Sequence, residues 1–258
     1  MCRDADRDSV GAEGVVNLRE HWNSIYDTKT DQRVSWFEPL PAVPLRLPVR
    51  QALSAVLAAS LVAGAHAQRD EAEREKFERV ADVFAAMGAR DGAHMADLGS
   101  ADGFYTLRLA KAVGPTGVAY AVDIDQKALD RLRERAQADN IKNIHVIVGE
   151  AADPKLPADT LDAVLIRNAY HEMPEYQSVL AGVKAALKPG GLLVIIEALH
   201  DNVREKSREQ QVKEHEIAPE IVEAELREAG FEILSREELF TKFTRPPPGG
   251  FWMIRARR

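Results

Sequence analysis

Ala96-Asp97-Leu98-Gly99-Ser100-Ala101-Asp102-Gly103-Phe104 decides how the rest of the chain is read. An apolar run, Ala93–Leu98, leads into it, and a helical pattern, Phe104–Val113, leads out. A strand that turns through glycines into a helix brings backbone N–H groups to a point where a ligand can be held. The dinucleotide fingerprint needs G-x-G-x-x-G, but Ala101 and Phe104 occupy its second and third glycine positions. A nicotinamide-dependent oxidoreductase is therefore the weaker alternative. What remains is an acid, a glycine two residues on, and a second glycine four further.

The pattern continues outward from this turn. Val118–Val122, Ile144–Val148, Leu161–Ile166 and Leu192–Ile196 read as strands. Between them Gln126–Ala138 and Glu175–Leu187 read as helices, with Lys188-Pro189-Gly190-Gly191 as a turn. Pro219–Ala229 follows as a helix, then strands near Phe231–Leu234 and Phe251–Ala256. Ahead of the glycine turn, Asp70–Met87 has helical spacing and stops at Gly88. Alternation of this kind predicts an α/β protein, a doubly wound, mostly parallel sheet with helices on both faces. Ligands in such sheets bind beyond the carboxyl ends of the strands.

The residues after each strand then carry the function. Asp123 follows the second strand about twenty residues past the glycine turn, where an acid can accept from two ribose hydroxyls. Glu150 and Ala151 follow the third strand, and Arg167-Asn168-Ala169-Tyr170-His171-Glu172 the fourth. Taken with the Lys188–Gly191 turn, these pieces resemble the class I, Rossmann-like S-adenosylmethionine (SAM)-dependent methyltransferases. The resemblance covers about Glu75 to Arg258. That family writes its first motif D-x-G-x-G-x-G, and Ala101 replaces the middle glycine.

The resemblance implies a seven-stranded sheet whose last hairpin is antiparallel. It implies SAM as cofactor, held by Asp97, Gly99, Ser100, Ala101, Gly103, Asp123, Ile124, Glu150, Ala151 and Arg167. It places substrate-facing groups after the fourth strand, where His171 is the candidate base, with Tyr170 and Glu172 beside it. Tyr170 is expected to stack on or close over the substrate. His215 and Glu216 form a second candidate pair, for which solvated surface is the plainer reading. The acceptor is expected to be a small molecule attacked at oxygen, nitrogen or carbon. A SAM-binding protein without turnover is the alternative from another class.

Several classes are disfavoured. The formal net charge of −7 speaks against nucleic acid as main partner. An N-P-P-Y-like segment after the fourth strand is absent, and a single cysteine, Cys2, cannot supply arsenite chemistry, a zinc cluster or a disulfide framework. Arg167-Asn168 does not resemble the metal-holding acids of catechol-type enzymes, so no metal is expected.

The start of the chain reads differently. Residues 1–48 are expected to be a poorly structured extension, with His21–Tyr26 and Val34–Pro39 resembling the opening of another methyltransferase branch. Residues 49–67 have a short basic start, an apolar run and Ala65-His66-Ala67, the layout of a signal peptide. That layout implies a start near Val43 or Val49 and a periplasmic or exported product. The alternative is a buried helix in a cytoplasmic protein. The run is too short for a stable membrane span. Residues 68–258 are expected to form the methyltransferase domain.

Overall fold

The computed structural model describes residues 71–258. The extension at 1–48 and the signal-peptide-like segment at 49–67 lie outside them. Among the described residues, no helix is long and apolar enough to cross a membrane.

Residues 71–77 are helical, and the chain then breaks before α1 (Val80–Met87). The single helix expected over Asp70–Met87 is thus two pieces. The break is at Arg79, which takes a left-handed φ of 49°. It turns Glu78 inward, to 7% exposure, where the Tyr105 hydroxyl donates to its carboxylate at 3.1 Å. The Arg79 guanidinium is held outside by Asp82 and Glu237.

The alternation then runs as expected. β1 (His94–Leu98), α2 (Phe104–Ala112), β2 (Val118–Asp123), α3 (Gln126–Ala138), β3 (Ile144–Val148) and β4 (Leu161–Arg167) follow in order. After a 3-10 turn at Tyr170–Glu172 come α4 (Tyr176–Ala186) and β5 (Leu187–His200). α5 (Arg208–Lys213), α6 (Pro219–Glu228), β6 (Glu232–Lys242) and β7 (Gly249–Arg257) complete the chain. The sheet order is β3-β2-β1-β4-β5-β7-β6. β7 alone runs antiparallel, against both β5 and β6. This is the seven-stranded sheet with a reversed last hairpin that the resemblance implies.

Strand periodicity of two explains the two-sided core. Leu98, Val164, Ile166, Leu193 and Ile195 face one side, packed with Leu180, Val183 and Leu226 of α4 and α6. Met95, Ala163, Leu165, Val194 and Ile196 face the other, packed with Val83, Met87 and Leu109 of α1 and α2. Burying each large side chain contributes about 1.5–3 kcal/mol. Trp252 of β7 is 1% exposed, and its indole N–H donates to Ile217 O at 2.8 Å.

Several boundaries depart from expectation, among them β6, which runs on to Lys242. β5 runs on through Glu197 to His200, and the Lys188–Gly191 turn is absorbed as an irregularity between Leu161 and Ala163 of its β4 pairing. The charged stretch at 201–214 contains α5 with a complete capping box from Ser207 to Gln210. The strand order reverses between β1 and β4, and that switch point opens the site.

Candidate functional site

The glycine turn is shaped by what it touches. Gly99 has φ 81°, and a Cβ there would stand 2.5 Å from Ala169 Cβ. The turn after β1 is thus in direct contact with the loop after β4. Gly103 has φ 84°, and a Cβ there would strike Leu132 of α3. Between them Ala101 also takes a left-handed φ of 46°. That explains why the family favours glycine at this position: the backbone is left-handed, which a Cβ resists by about 1–2 kcal/mol. The Ala101 N–H donates to Asp123 Oδ2 at 2.8 Å, and the Asp125 N–H to Oδ1 at 2.9 Å. Asp123 is thereby fixed at the mouth of β2. Burial pushes its carboxyl above the ordinary range, against the pull of those N–H donors.

Asp97 is 3% exposed and accepts from the Thr106 hydroxyl at 2.7 Å. Burial pushes its carboxyl up to about 6; the Thr106 bond opposes this and the Asp123 charge adds to it. Ser100 Oγ is buried with no hydrogen-bond partner among the described residues. Ile124 is among the exposed large hydrophobic residues. Glu150 is exposed and paired with Lys155 at 2.6 Å, and Ala151 follows it, half-buried. An anchored acid, an exposed aliphatic face and an unsatisfied buried hydroxyl around one strand mouth form a donor set that fits a nucleoside-bearing cofactor. Arg167 is near enough to Asp97 for its charge to act on that carboxyl. Its guanidinium pairs with Glu78 at 2.8 Å and lies 4.4 Å over the Phe251 ring.

Beyond β4 the structure builds a polar cluster. Glu197 of β5 is 0% exposed. Its Oε1 accepts from the N–H groups of Ala169 (2.8 Å) and Tyr170 (2.6 Å), and its Oε2 from His171 Nδ1 (2.6 Å). His171 is 1% exposed, and its Nε2 is buried with no hydrogen-bond partner among the described residues. Glu172 Oε1 stands 3.5 Å from that Nε2 and 3.6 Å from His215 Nδ1. The two imidazole rings meet edge to face at 5.9 Å. Burial pulls the His171 imidazole down, but Glu197 and Glu172 outweigh it and raise it to about 9.

Tyr170 calls for a correction. It is 0% exposed, and its hydroxyl donates to Glu225 Oε2 at 2.8 Å. It is a core residue, so its ring cannot stack on or close over a substrate. His215 and Glu216 separate rather than act as a pair. His215 joins Glu172, while Glu216 accepts from His200, at its backbone N–H and at its ring.

Glu197 and Glu78 escape sequence reasoning. Glu197 sits one residue past an expected strand end, and that position, an acid closing an apolar run, was the available signal. Glu78 lies inside an unbroken helical pattern, where nothing marks it as inward-facing.

Comparisons with known proteins fit this geometry. A family model described as "Methyltransferase domain" matches residues 89–230. Demethylmenaquinone methyltransferase of Staphylococcus aureus is 33% identical over 116 residues, 45% of this chain and 47% of that protein. The chain thus spans about half the length of the curated relatives it matches. The crystal structure of a SAM-dependent methyltransferase from Aquifex aeolicus superposes with a TM-score of 0.58 at 25% identity, covering 69% of this chain and 88% of that one. Phosphoethanolamine N-methyltransferase 2 of Haemonchus contortus, solved with SAM, shares the fold at a TM-score of 0.57 and 15% identity, over 70% of this chain and 52% of its own. Sheet order, glycine turn and family match agree, and the chain belongs to the class I SAM-dependent methyltransferases.

Proposed function

We propose that the protein transfers the methyl group of SAM to a small-molecule acceptor bound beside His171, Glu172 and His215. The observation that carries the reading is the contact between Gly99 and Ala169. It sets the wall of the donor pocket directly against the loop that bears His171 and Glu172.

SAM supplies an electrophilic methyl group on a sulfonium. In this reading Asp123 accepts from the ribose hydroxyls, with its carboxylate aimed by the Ala101 and Asp125 N–H groups. Ile124 offers an apolar face to the adenine, and Ser100 Oγ gains the partner it lacks. Asp97 and the N-terminus of α2 line the remainder. Glu197 holds the loop after β4 by two backbone N–H groups and a ring N–H, so the acceptor side is rigid before anything binds. His171 and Glu172 then orient the nucleophile on the line of transfer.

An acceptor with an ionisable hydroxyl suits two imidazoles and a carboxylate. The similarity to demethylmenaquinone methyltransferase supports an aromatic or quinol-like acceptor. The test has two stages. Calorimetry with S-adenosylhomocysteine should show one site per chain. Methyl-labelled SAM should then label one class within a panel of hydroquinones, catechols and phenols. Binding without labelling of any small molecule would favour a cofactor-binding protein without turnover, and no binding would end the proposal.

A further inference from the structure

We infer that His171, Glu172 and His215 form a binding site for a divalent transition-metal ion of the zinc(II) class. The expectation of no metal rested on Arg167-Asn168. The cluster begins beyond that dipeptide and is completed by a residue from the far side of β5, so the linear sequence does not display it.

Four observations converge. The three donor atoms lie within 4.8 Å of one another. Two of the separations are 3.5 and 3.6 Å. Ligand atoms bonded tetrahedrally to zinc at 2.0–2.1 Å stand about 3.4 Å apart, so the two Glu172 separations are already close to that spacing. The His215 side chain is half-exposed.

The second observation is the state of His171. Its Nδ1 faces the wholly buried Glu197 carboxylate at 2.6 Å. A ring N–H given to a carboxylate turns the other nitrogen into the ligand atom, the arrangement that orients metal-binding histidines. That other nitrogen, Nε2, is buried, has no hydrogen-bond partner among the described residues within ordinary range, and faces the Glu172 carboxylate at 3.5 Å.

Third, His215 is held in place from both sides. Gln211, 0% exposed, donates to Arg204 O and Lys206 O and accepts from the Ala218 N–H. Glu216 is tied to His200. Between these anchors His215 takes a left-handed φ of 59°, a conformation that non-glycine residues rarely adopt without a reason. Fourth, the donor chemistry is selective. Two imidazoles and one carboxylate suit zinc(II), cobalt(II) or iron(II), and not calcium or magnesium, which prefer oxygen alone. Three protein ligands leave the fourth position of a tetrahedral zinc(II) to a further ligand.

On the methyl-transfer reading above, that fourth position takes the acceptor oxygen and favours loss of its proton to solvent. The new O–CH₃ bond then forms as the S–CH₃ bond breaks. The metal site itself does not depend on that reading.

The test is calorimetric titration of zinc(II) into chelator-treated full chain, with S-adenosylhomocysteine titrated separately. Cobalt(II) absorption reports the ligand field. One zinc per chain is expected, with a visible cobalt spectrum of four-coordinate type. His215→Ala, at a half-exposed position, should fold normally and abolish both signals. Glu197→Gln should keep an acceptor for Ala169 and Tyr170 but turn an N–H₂ toward His171 and reverse its tautomer. A loss in zinc affinity of about 10–100-fold is expected there. Zinc binding that survives His215→Ala overturns the site, as does absence of zinc binding by a chain that binds S-adenosylhomocysteine. Zinc bound with the expected dependence on His215, by a chain that does not bind S-adenosylhomocysteine, upholds the site and defeats the methyl-transfer reading instead.

Discussion

The backbone N–H of Ala101 donates to Asp123 Oδ2 at 2.8 Å, joining the glycine turn after β1 to the acid that ends β2. One carboxylate therefore both braces the turn and faces the place proposed for the ribose. Asp123→Ala should weaken S-adenosylhomocysteine binding by about 1–3 kcal/mol, the worth of hydrogen bonds to a charged group. Calorimetry at neutral pH measures it; an unchanged affinity would remove Asp123 from the cofactor site.

Ala101 occupies a left-handed conformation that glycine adopts without strain. Ala101→Gly relieves about 1–2 kcal/mol of backbone strain and returns part of it as unfolded-chain entropy. The net expectation is a stability gain of a few tenths to about 1 kcal/mol. Ala101→Val should go the other way. Denaturant melts of the two variants should therefore bracket the parent chain, and a destabilised glycine variant would refute the argument.

Burial holds the Asp97 carboxyl at about 6, above its ordinary 3.8. Between those values the folded chain keeps a proton that the unfolded chain releases. The contribution of this group to stability is therefore greatest at acid pH and falls as pH rises through 6. The swing is on the order of 2–3 kcal/mol. Asp97→Asn, which can still accept from Thr106, should flatten it. Chemical denaturation at pH 4 and pH 7 on both chains would show whether the slope disappears.

Glu197 accepts three hydrogen bonds while wholly buried. Glu197→Ala strands the N–H groups of Ala169 and Tyr170 and the His171 ring. Each stranded group costs about 1–3 kcal/mol, so a loss above about 3 kcal/mol is expected. Glu197→Gln retains an oxygen for the backbone and should lose less than half as much. Similar melting temperatures for the two variants would mean that the loop after β4 does not depend on this side chain.

His171→Asn keeps an N–H for Glu197 but removes Nε2. Turnover of any acceptor found should fall by about 10²–10⁴-fold, the usual worth of a group acting on protons or charge at the reacting atom. S-adenosylhomocysteine affinity should not move, because the proposed cofactor contacts lie at β1, β2 and β3. Parallel losses in turnover and cofactor affinity would place His171 in the donor pocket instead.

Much of this is legible in the residues. Strand periodicity and turn glycines reveal the sheet, because alternate residues such as Ala163 and Val164 must face opposite helical layers. Asp123 is legible for the same reason: it ends an apolar run at a fixed distance from Gly99. Tyr170 was misread because a polar tip on a loop suggests exposure, whereas Glu225 gives that tip a buried partner. Glu78 and Glu197 are hidden because propensity and period treat an inward acid in an apolar element as a boundary or a solvated position. The meeting of His171 and His215 is not local at all. It depends on how Gln211 folds the segment after β5, and no spacing between the two histidines encodes it.

The placing of β7 between β5 and β6 has a kinetic consequence. Leu192 pairs with Arg257 and His200 with Gly249, while the β6–β7 hairpin is local. Local hairpins close in microseconds, whereas distant pairing must first overcome the loop entropy of everything between. The hairpin should therefore form early and dock late, in one piece, onto an already assembled five-stranded sheet. Until it docks, β5 is an open edge carrying Leu193, Val194, Ile195 and Ile196, the template that invites another chain to pair. Refolding yield should consequently fall steeply with protein concentration, and a substitution that slows docking should raise aggregation more than it lowers the stability of the finished fold.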